Sequence, residues 1–77
     1  MNIIGFALCL VNDDEDDFKP NKLYPVLEPL ANDPEGHLRI IDDSGEDYLY
    51  PEVYFQIVQV GEQARENLLR YFEVSPV

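Results

Sequence analysis

The sequence is poor in tryptophan, histidine and cysteine. It has no tryptophan, one histidine, His37, and one cysteine, Cys9. A single cysteine excludes an intramolecular disulfide. A zinc site needs three or four sulfur or imidazole ligands, which this chain cannot supply. We therefore expect no zinc site, and we expect Cys9 to be a reduced, buried thiol in its apolar surroundings.

Basic residues are also scarce. Five Lys and Arg stand against 16 Asp and Glu, which gives a formal net charge of −11. Binding to a phosphate backbone depends on basic side chains that displace counterions, so direct nucleic-acid binding is not expected. Attachment to an anionic membrane is disfavoured for the same reason. A basic protein partner fits this charge, and the plainer alternative is that the acidity only keeps a small domain soluble.

Length and composition indicate one folded domain. The chain has 77 residues, 45% of them hydrophobic, with five Tyr and four Phe, which is too apolar for a disordered acidic tail. The apolar run at residues 3–11 is too short to span a membrane, and no Lys or Arg precedes it, so it does not have the pattern of an export signal. We predict a cytoplasmic protein.

The order of apolar, turn and breaker residues predicts a mostly β fold. Five strands are expected at 3–11, 22–28, 37–42, 48–50 and 55–60, with a tight turn at 43–46 and a single helical turn at 52–54. The five acids at 13–17 predict a solvated loop, which Phe18 ties to the core.

After Gly61 the apolar period changes to that of an amphipathic helix, which we predict at residues 62–73. Its expected apolar face must be covered. Packing across the open end of the chain's own β structure is one possibility, and docking onto a partner or a second copy, which would give a homodimer, is the other. The face consists of Ala64, Leu68, Tyr71 and Phe72.

Several stretches resemble the SH3 domains. Residues 7–11 (ALCLV) resemble the first strand of that family, residues 14–27 its acidic loop and closing strand, and residues 45–58 (GEDYLYPEVYFQIV) its Pro-x-x-Tyr segment and last strand. The resemblance covers about residues 5–60, and small bacterial proteins of unassigned role share a similar GEDYLYP-type stretch. It implies a five-stranded SH3-like barrel at about 3–60, followed by the helix at about 62–73.

The resemblance implies the fold more than the family's peptide binding. SH3 domains hold proline-rich peptides between aromatic rings. Pro51 and Tyr54 match two positions of that groove, but Cys9 and Val11 stand where the first-strand tyrosines would be. No tryptophan is present to divide the two proline slots, so binding of such peptides is not expected.

An EF-hand calcium site is not expected in spite of the acidic runs, and weak, nonspecific cation binding at residues 13–17 stays open as an alternative to a merely solvated loop. An EF-hand loop needs Gly at its sixth position and Glu at its twelfth. Counted from Asp13 these positions hold Phe18 and Tyr24, and counted from Asp42 the sixth position holds Asp47.

Enzymatic activity and a cofactor are likewise not expected. Ser44 has no candidate base near it in sequence, no glycine-rich phosphate loop occurs, and Glu46 and Asp47 fall in a predicted surface turn.

The sequence instead predicts a protein-binding surface. Tyr48 and Tyr50 point the same way on their strand, opposite to Leu49. If Leu49 faces the core, the two rings form an exposed aromatic patch near Tyr54, and otherwise the tyrosines fill the core. Aromatic patches are typical anchors for partners. The predicted binding residues are Tyr48, Tyr50, Pro51, Tyr54, Asp14, Glu15, Asp16 and Asp17.

These features predict a non-enzymatic module that binds a basic protein partner. Two alternatives remain open at this point. One is an acidic inhibitor or antitoxin-type protein that blocks a basic nucleic-acid-processing target, and the other is a structural subunit of a complex. The sequence does not choose between a monomer and a homodimer.

Overall fold

The computed structural model describes residues 2–11 and 17–73, which form a mostly β structure with one helix, as predicted. A single turn of 3₁₀-helix at Glu52–Tyr54 lies between the last two strands. Each strand and the helix lie where the sequence predicted them. Their bounds are β1 Ile3–Cys9, β2 Leu23–Leu27, β3 His37–Ile41, β4 Asp47–Pro51, β5 Phe55–Val58 and α1 Glu62–Glu73.

The five strands form one antiparallel sheet in the order β4-β3-β2-β1-β5. The tight turn between β3 and β4 contains Gly45 at a φ of 84°, a conformation that glycine adopts without strain. Across the described residues, no pairing joins β4 to β5. The sheet is therefore open at these two edges, and its predicted closure into a barrel is not confirmed.

One face of the sheet carries an aromatic core. The alternation of side chains along each strand brings Ala7, Cys9, Tyr24 and Val26 to this face. Cys9 is a buried free thiol, as predicted. Phe18 is only 3% exposed and packs here from the loop before β2, which confirms that it is an anchor. The buried members of the aromatic core are Ala7, Cys9, Phe18, Tyr24, Val26, Ile40 and Phe55.

The other face carries a second cluster, the helix-side core. A register shift between Ile3 and Gly5 in β1 breaks the alternation, which places Ile3 on the same face as Phe6. Together with Leu27 these residues are buried beneath α1. Both faces of the sheet are thus covered, which lets a short chain bury apolar side chains on two sides.

The helix packs on its own sheet with a face that shares Leu68 and Phe72 with the predicted one and adds Leu69. Leu68, Leu69 and Phe72 contact the helix-side core, and the rings of Phe72 and Phe6 lie 6.2 Å apart. Ala64 is exposed and Tyr71 is 70% exposed, so these two residues do not pack on the sheet, and their alternative role in docking onto a partner or a second copy stays a prediction. Residues 68, 69 and 72 follow the spacing of one helix face, whereas Tyr71 lies to its side.

No helix in residues 2–11 and 17–73 combines the length and the apolar character needed to cross a membrane.

Candidate protein-binding site

The three predicted tyrosines do not form one exposed patch. Tyr50 pairs with Leu38 on β3, and both pack against the aromatic core, while Leu49 points to the opposite face. Tyr54 is also half-buried against that core. Tyr48, near the start of β4, is 48% exposed. Tyr50 and Tyr54 therefore follow the alternative in which the tyrosines pack on the core. Only Tyr48 follows the alternative of an exposed ring, so the predicted aromatic patch is reduced to Tyr48.

Tyr50 is held by the aromatic core and by a buried carboxylate. Its ring meets that of Phe18 edge-on, with 5.1 Å between the centroids. Its hydroxyl donates to Asp42 Oδ2 at 2.6 Å. Pro51 ends β4 opposite His37 and precedes the 3₁₀ turn. Tyr50 and Pro51 thus serve the fold at this position, since they position β4 rather than project from it.

The turn between β3 and β4 is built around Asp42, which is 5% exposed. Its carboxylate accepts hydrogen bonds from the backbone N–H of Ser44 at 2.9 Å and from the Ser44 hydroxyl. Its carbonyl accepts from the N–H of Gly45 at 3.0 Å. A buried carboxylate with these donors is satisfied, so Asp42 is a structural residue that fixes the turn.

A backbone hydrogen bond joins the end of the acidic run to this turn. The N–H of Asp43 donates to the carbonyl of Asp17 at 2.7 Å. Asp17 therefore lies against the β3–β4 turn, which leads into Tyr48, although the two are far apart in sequence. The other predicted acids of the run, Asp14, Glu15 and Asp16, lie outside the described residues.

Nearby carboxylates shift the pKa of the Tyr48 hydroxyl. Its hydroxyl donates to Glu46 Oε2 at 2.8 Å. That hydrogen bond and the charge of Glu46 raise the pKa of Tyr48, with smaller contributions from burial, Asp42 and Asp17. We call Asp17, Glu46 and Tyr48 the acidic face.

A cluster of ion pairs holds the acidic face in place. Lys22 Nζ lies 2.5 Å from Asp43 Oδ1, and Lys19 Nζ lies 3.5 Å from Asp43 Oδ2. The buried Tyr24 hydroxyl donates to Asp43 at 3.0 Å and accepts from the N–H of Lys19 at 2.7 Å. Burial alone would raise the pKa of Asp43, but the hydrogen bonds from Lys22 and Tyr24 outweigh it and lower the pKa. We call these four residues the Asp43 latch.

Arg39, a third basic residue, is also paired with acidic side chains of the protein itself. Arg39 donates from Nε and Nη2 to Asp33 at 3.0 and 2.6 Å, and from Nη1 to Asp47 at 2.8 Å. The hydrogen bond from Arg39 is the main cause that lowers the pKa of Asp33. Within the described part of the chain, the ion pairs all involve Asp33, Asp43 or Asp47. Asp17 and Glu46 therefore keep uncompensated charges.

The arrangement has the chemistry of a contact surface. Two carboxylates can accept hydrogen bonds from Lys or Arg, and the Tyr48 ring offers a face to a cation. In the described ranges, no group of three or more His, Cys, Asp or Glu side chains is placed to hold a metal ion. Comparison of the chain with protein-family models, with curated proteins and with solved structures finds no match.

The Asp43 latch predicts a loss of stability in alkali. Burial is the first cause that raises the pKa of Tyr24 above its ordinary value of 10.0. The contribution of Tyr24 to stability is therefore fully present below about pH 10 and is lost as the pH rises further, because Tyr24 in the unfolded chain releases its proton first. Urea unfolding between about pH 8 and pH 11 measures this slope. Tyr24→Phe should be less stable at pH 8 but should lose less between the two values. An equal loss of stability between about pH 8 and pH 11 in the wild type and in Tyr24→Phe would show that Tyr24 does not cause the pH dependence.

Crowded acids predict a response to salt. With a net charge of −11 and Asp17 held against the turn, added NaCl should raise the melting temperature by screening repulsion. The gain should be smaller in a variant with Asp17→Asn and Glu46→Gln. Melting curves in about 0.05 and 0.5 M NaCl test this, because these concentrations differ strongly in screening length. A melting temperature that falls with salt would show that repulsion is not the dominant charge effect.

Proposed function

We propose that the chain is a non-enzymatic protein-binding module that presents the acidic face to a basic segment of a partner protein. The observation that carries the proposal is the 2.7 Å hydrogen bond from the Asp43 N–H to the Asp17 carbonyl. This bond brings Asp17, the last residue of the acidic run, to the turn that carries Glu46 and precedes the exposed ring of Tyr48. A diffuse acidic surface, whose only effect is solubility, has no need of such an arrangement.

The physical basis is electrostatic complementarity with an aromatic anchor. The field of a strongly acidic protein speeds encounter with a basic partner and weakens as salt is added. Contacts of Lys or Arg with Glu46 and with the Tyr48 ring then give the encounter an orientation. The Tyr48 hydroxyl is fixed by Glu46, so the ring loses little rotational freedom on binding.

The proposal extends to the fold family. Five antiparallel strands in the order β4-β3-β2-β1-β5, with a 3₁₀ turn between β4 and β5, support an SH3-like arrangement. The half-buried positions of Tyr50 and Tyr54 do not support a groove for proline-rich peptides. The module therefore uses a different end of the sheet from the surface that the resemblance would suggest.

The test is calorimetric titration of the protein with a lysine- and arginine-rich peptide at low and moderate salt. The double variant Asp17→Asn, Glu46→Gln should weaken binding about five- to tenfold, because exposed charge contacts contribute modestly one by one. Tyr48→Ala should weaken it further through loss of the ring.

A matched control changes the net charge by the same amount elsewhere. Glu35 and Glu66 are exposed, Glu35 at the opposite end of the β3–β4 hairpin and Glu66 on α1. The variant Glu35→Gln, Glu66→Gln should bind nearly as well as the wild type. Equal weakening in the two double variants would show that the peptide responds only to total charge, and would overturn the proposal.

A further inference from the structure

A small pocket lies on the opposite side of β4 from Tyr48. It has a volume of about 210 Å³, and its lining includes Leu27, Leu30, Arg39 and Asp47. Arg39 alternates with the buried Ile40 along β3, so the pocket opens on the helix-side face of the sheet. Pockets for cofactors and drug-sized ligands measure roughly 300–1,000 Å³, which leaves room here for a single side chain.

The pocket is held in one shape by hydrogen bonds. The N–H of Leu30 donates to Asp33 Oδ2 at 2.9 Å, and the N–H of Asp33 donates to the Leu30 carbonyl at 3.0 Å. Asp33 also binds Arg39 through both of its carboxylate oxygens. The turn that carries Leu30 is thus fastened to β3, although the Leu30 side chain is 60% exposed. An exposed apolar side chain on a rigid turn is ready for a partner without a cost of ordering.

Charge selects the kind of partner. All three nitrogens of the Arg39 guanidinium donate to Asp33 or Asp47, so this cation is neutralised. Glu28 also lines the pocket, where it accepts a hydrogen bond from Asn2 at 3.3 Å. One cation among three acids leaves the surroundings negative. An anionic ligand is disfavoured there, and an apolar side chain flanked by cations is favoured.

We propose that this pocket receives one large apolar side chain, of the size of leucine, from the basic segment that binds the acidic face. The inference rests on the proposed function, because it adds an apolar anchor to the same partner. Asp47 and Tyr48 are neighbours on β4, an edge strand, and their side chains point to opposite faces. A segment that crosses this edge can therefore contact both surfaces.

The experiment uses two basic peptides that differ at one central position, leucine in one and serine in the other. Calorimetric titration of the wild-type protein should show about tenfold tighter binding of the leucine peptide, as expected for burial of one large apolar side chain. Leu30→Ser in the protein should reduce that preference to about threefold or less. Leu10→Ser is the matched control, because Leu10 is 52% exposed outside the pocket lining, and it should leave the preference intact.

Equal binding of the two peptides to the wild type, or failure of both to bind, would overturn the proposal that the pocket receives an apolar side chain. A preference that persists in Leu30→Ser would also overturn it. The double variant Asp17→Asn, Glu46→Gln separates this failure from that of the proposed function. If it weakens both peptides alike while no leucine preference exists, the acidic face stands and the pocket fails. If the leucine preference holds and this variant has no effect, the acidic face fails.

Discussion

Replacing Phe18 with alanine should destabilise the protein by about 3–5 kcal/mol, the usual cost of removing a buried phenylalanine. Phe18 is 3% exposed, and its ring lies 5.1 to 6.2 Å from those of Tyr50, Phe55 and Tyr54. A chain of this length has a total stability of only about 4–12 kcal/mol. The variant should therefore lose a large part of its folded population, and its melting temperature should fall by more than about 10 °C.

Urea unfolding followed by circular dichroism measures this effect. Val53→Ala is the control, because Val53 is 75% exposed, and it should change stability by less than about 0.5 kcal/mol. Phe18 directly follows Asp17, so the variant should also weaken binding of a basic peptide where it is still folded. A Phe18→Ala protein as stable as the control would show that the loop is not anchored in the aromatic core.

The second large effect is a difference in stability loss between alanine variants of two neighbouring aromatic residues on α1, Phe72 and Tyr71. Phe72→Ala should destabilise the protein by about 2–3 kcal/mol, less than a fully buried ring because Phe72 is half-buried against Phe6. Tyr71→Ala should cost less than about 1 kcal/mol, since Tyr71 is 70% exposed and mainly loses its edge contact with Phe72. Alanine favours the helix in both variants, so helix propensity does not separate them.

Thermal melting of the two variants side by side measures the difference. The face predicted from the sequence contains both rings, so the comparison shows whether Tyr71 is covered as Phe72 is. Equal losses would mean that Tyr71 is covered, either by the sheet or by a second copy of the chain. Concentration-dependent melting in the wild type would identify the second copy.

Most of the fold was predictable because its signals are local. Alternating apolar residues, the breakers Pro51 and Gly61, and the change to helical spacing placed every strand and the helix to within two residues at each end. The orientation of α1 on the sheet was not predictable from the sequence. Four of its residues are all apolar, so several helix faces fit the helical spacing: Leu68, Leu69, Tyr71 and Phe72. The sheet beneath the helix decides which of these side chains is buried.

The candidate site depended on contacts between distant residues. Lys22 and Asp43 are 21 positions apart, and nothing in the local sequence shows that they form an ion pair or that the Tyr24 hydroxyl also donates to Asp43. The opposite directions of Tyr50 and Leu49 were a matter of register, because a shift of one residue exchanges the two faces of a strand. The acidity was visible in the sequence, whereas the exposure of Tyr48 was one of two alternatives that the sequence left open. The assembly of the acids and Tyr48 into one surface could not be predicted from local patterns.

The two covered faces of the sheet explain where a binding surface remains. The aromatic core occupies one face, and α1 covers much of the other. The β4 and β5 edges and the end of the sheet at the β3–β4 turn remain open to a partner, and at the turn and the β4 edge the Asp43 latch and Arg39 hold acids in fixed positions. A partner would therefore meet a prearranged surface, which lowers the entropic cost of binding.

The most direct test of organised charge is chemical-shift mapping of the isotope-labelled protein with a basic peptide at low salt. We expect the largest changes at Asp17, Asp43, Glu46 and Tyr48, with small changes at exposed Glu62 and Glu66 on α1. Changes of similar size at all exposed acids, including those of the helix, would contradict the account. The negative charge would then be a uniform coat rather than a binding site.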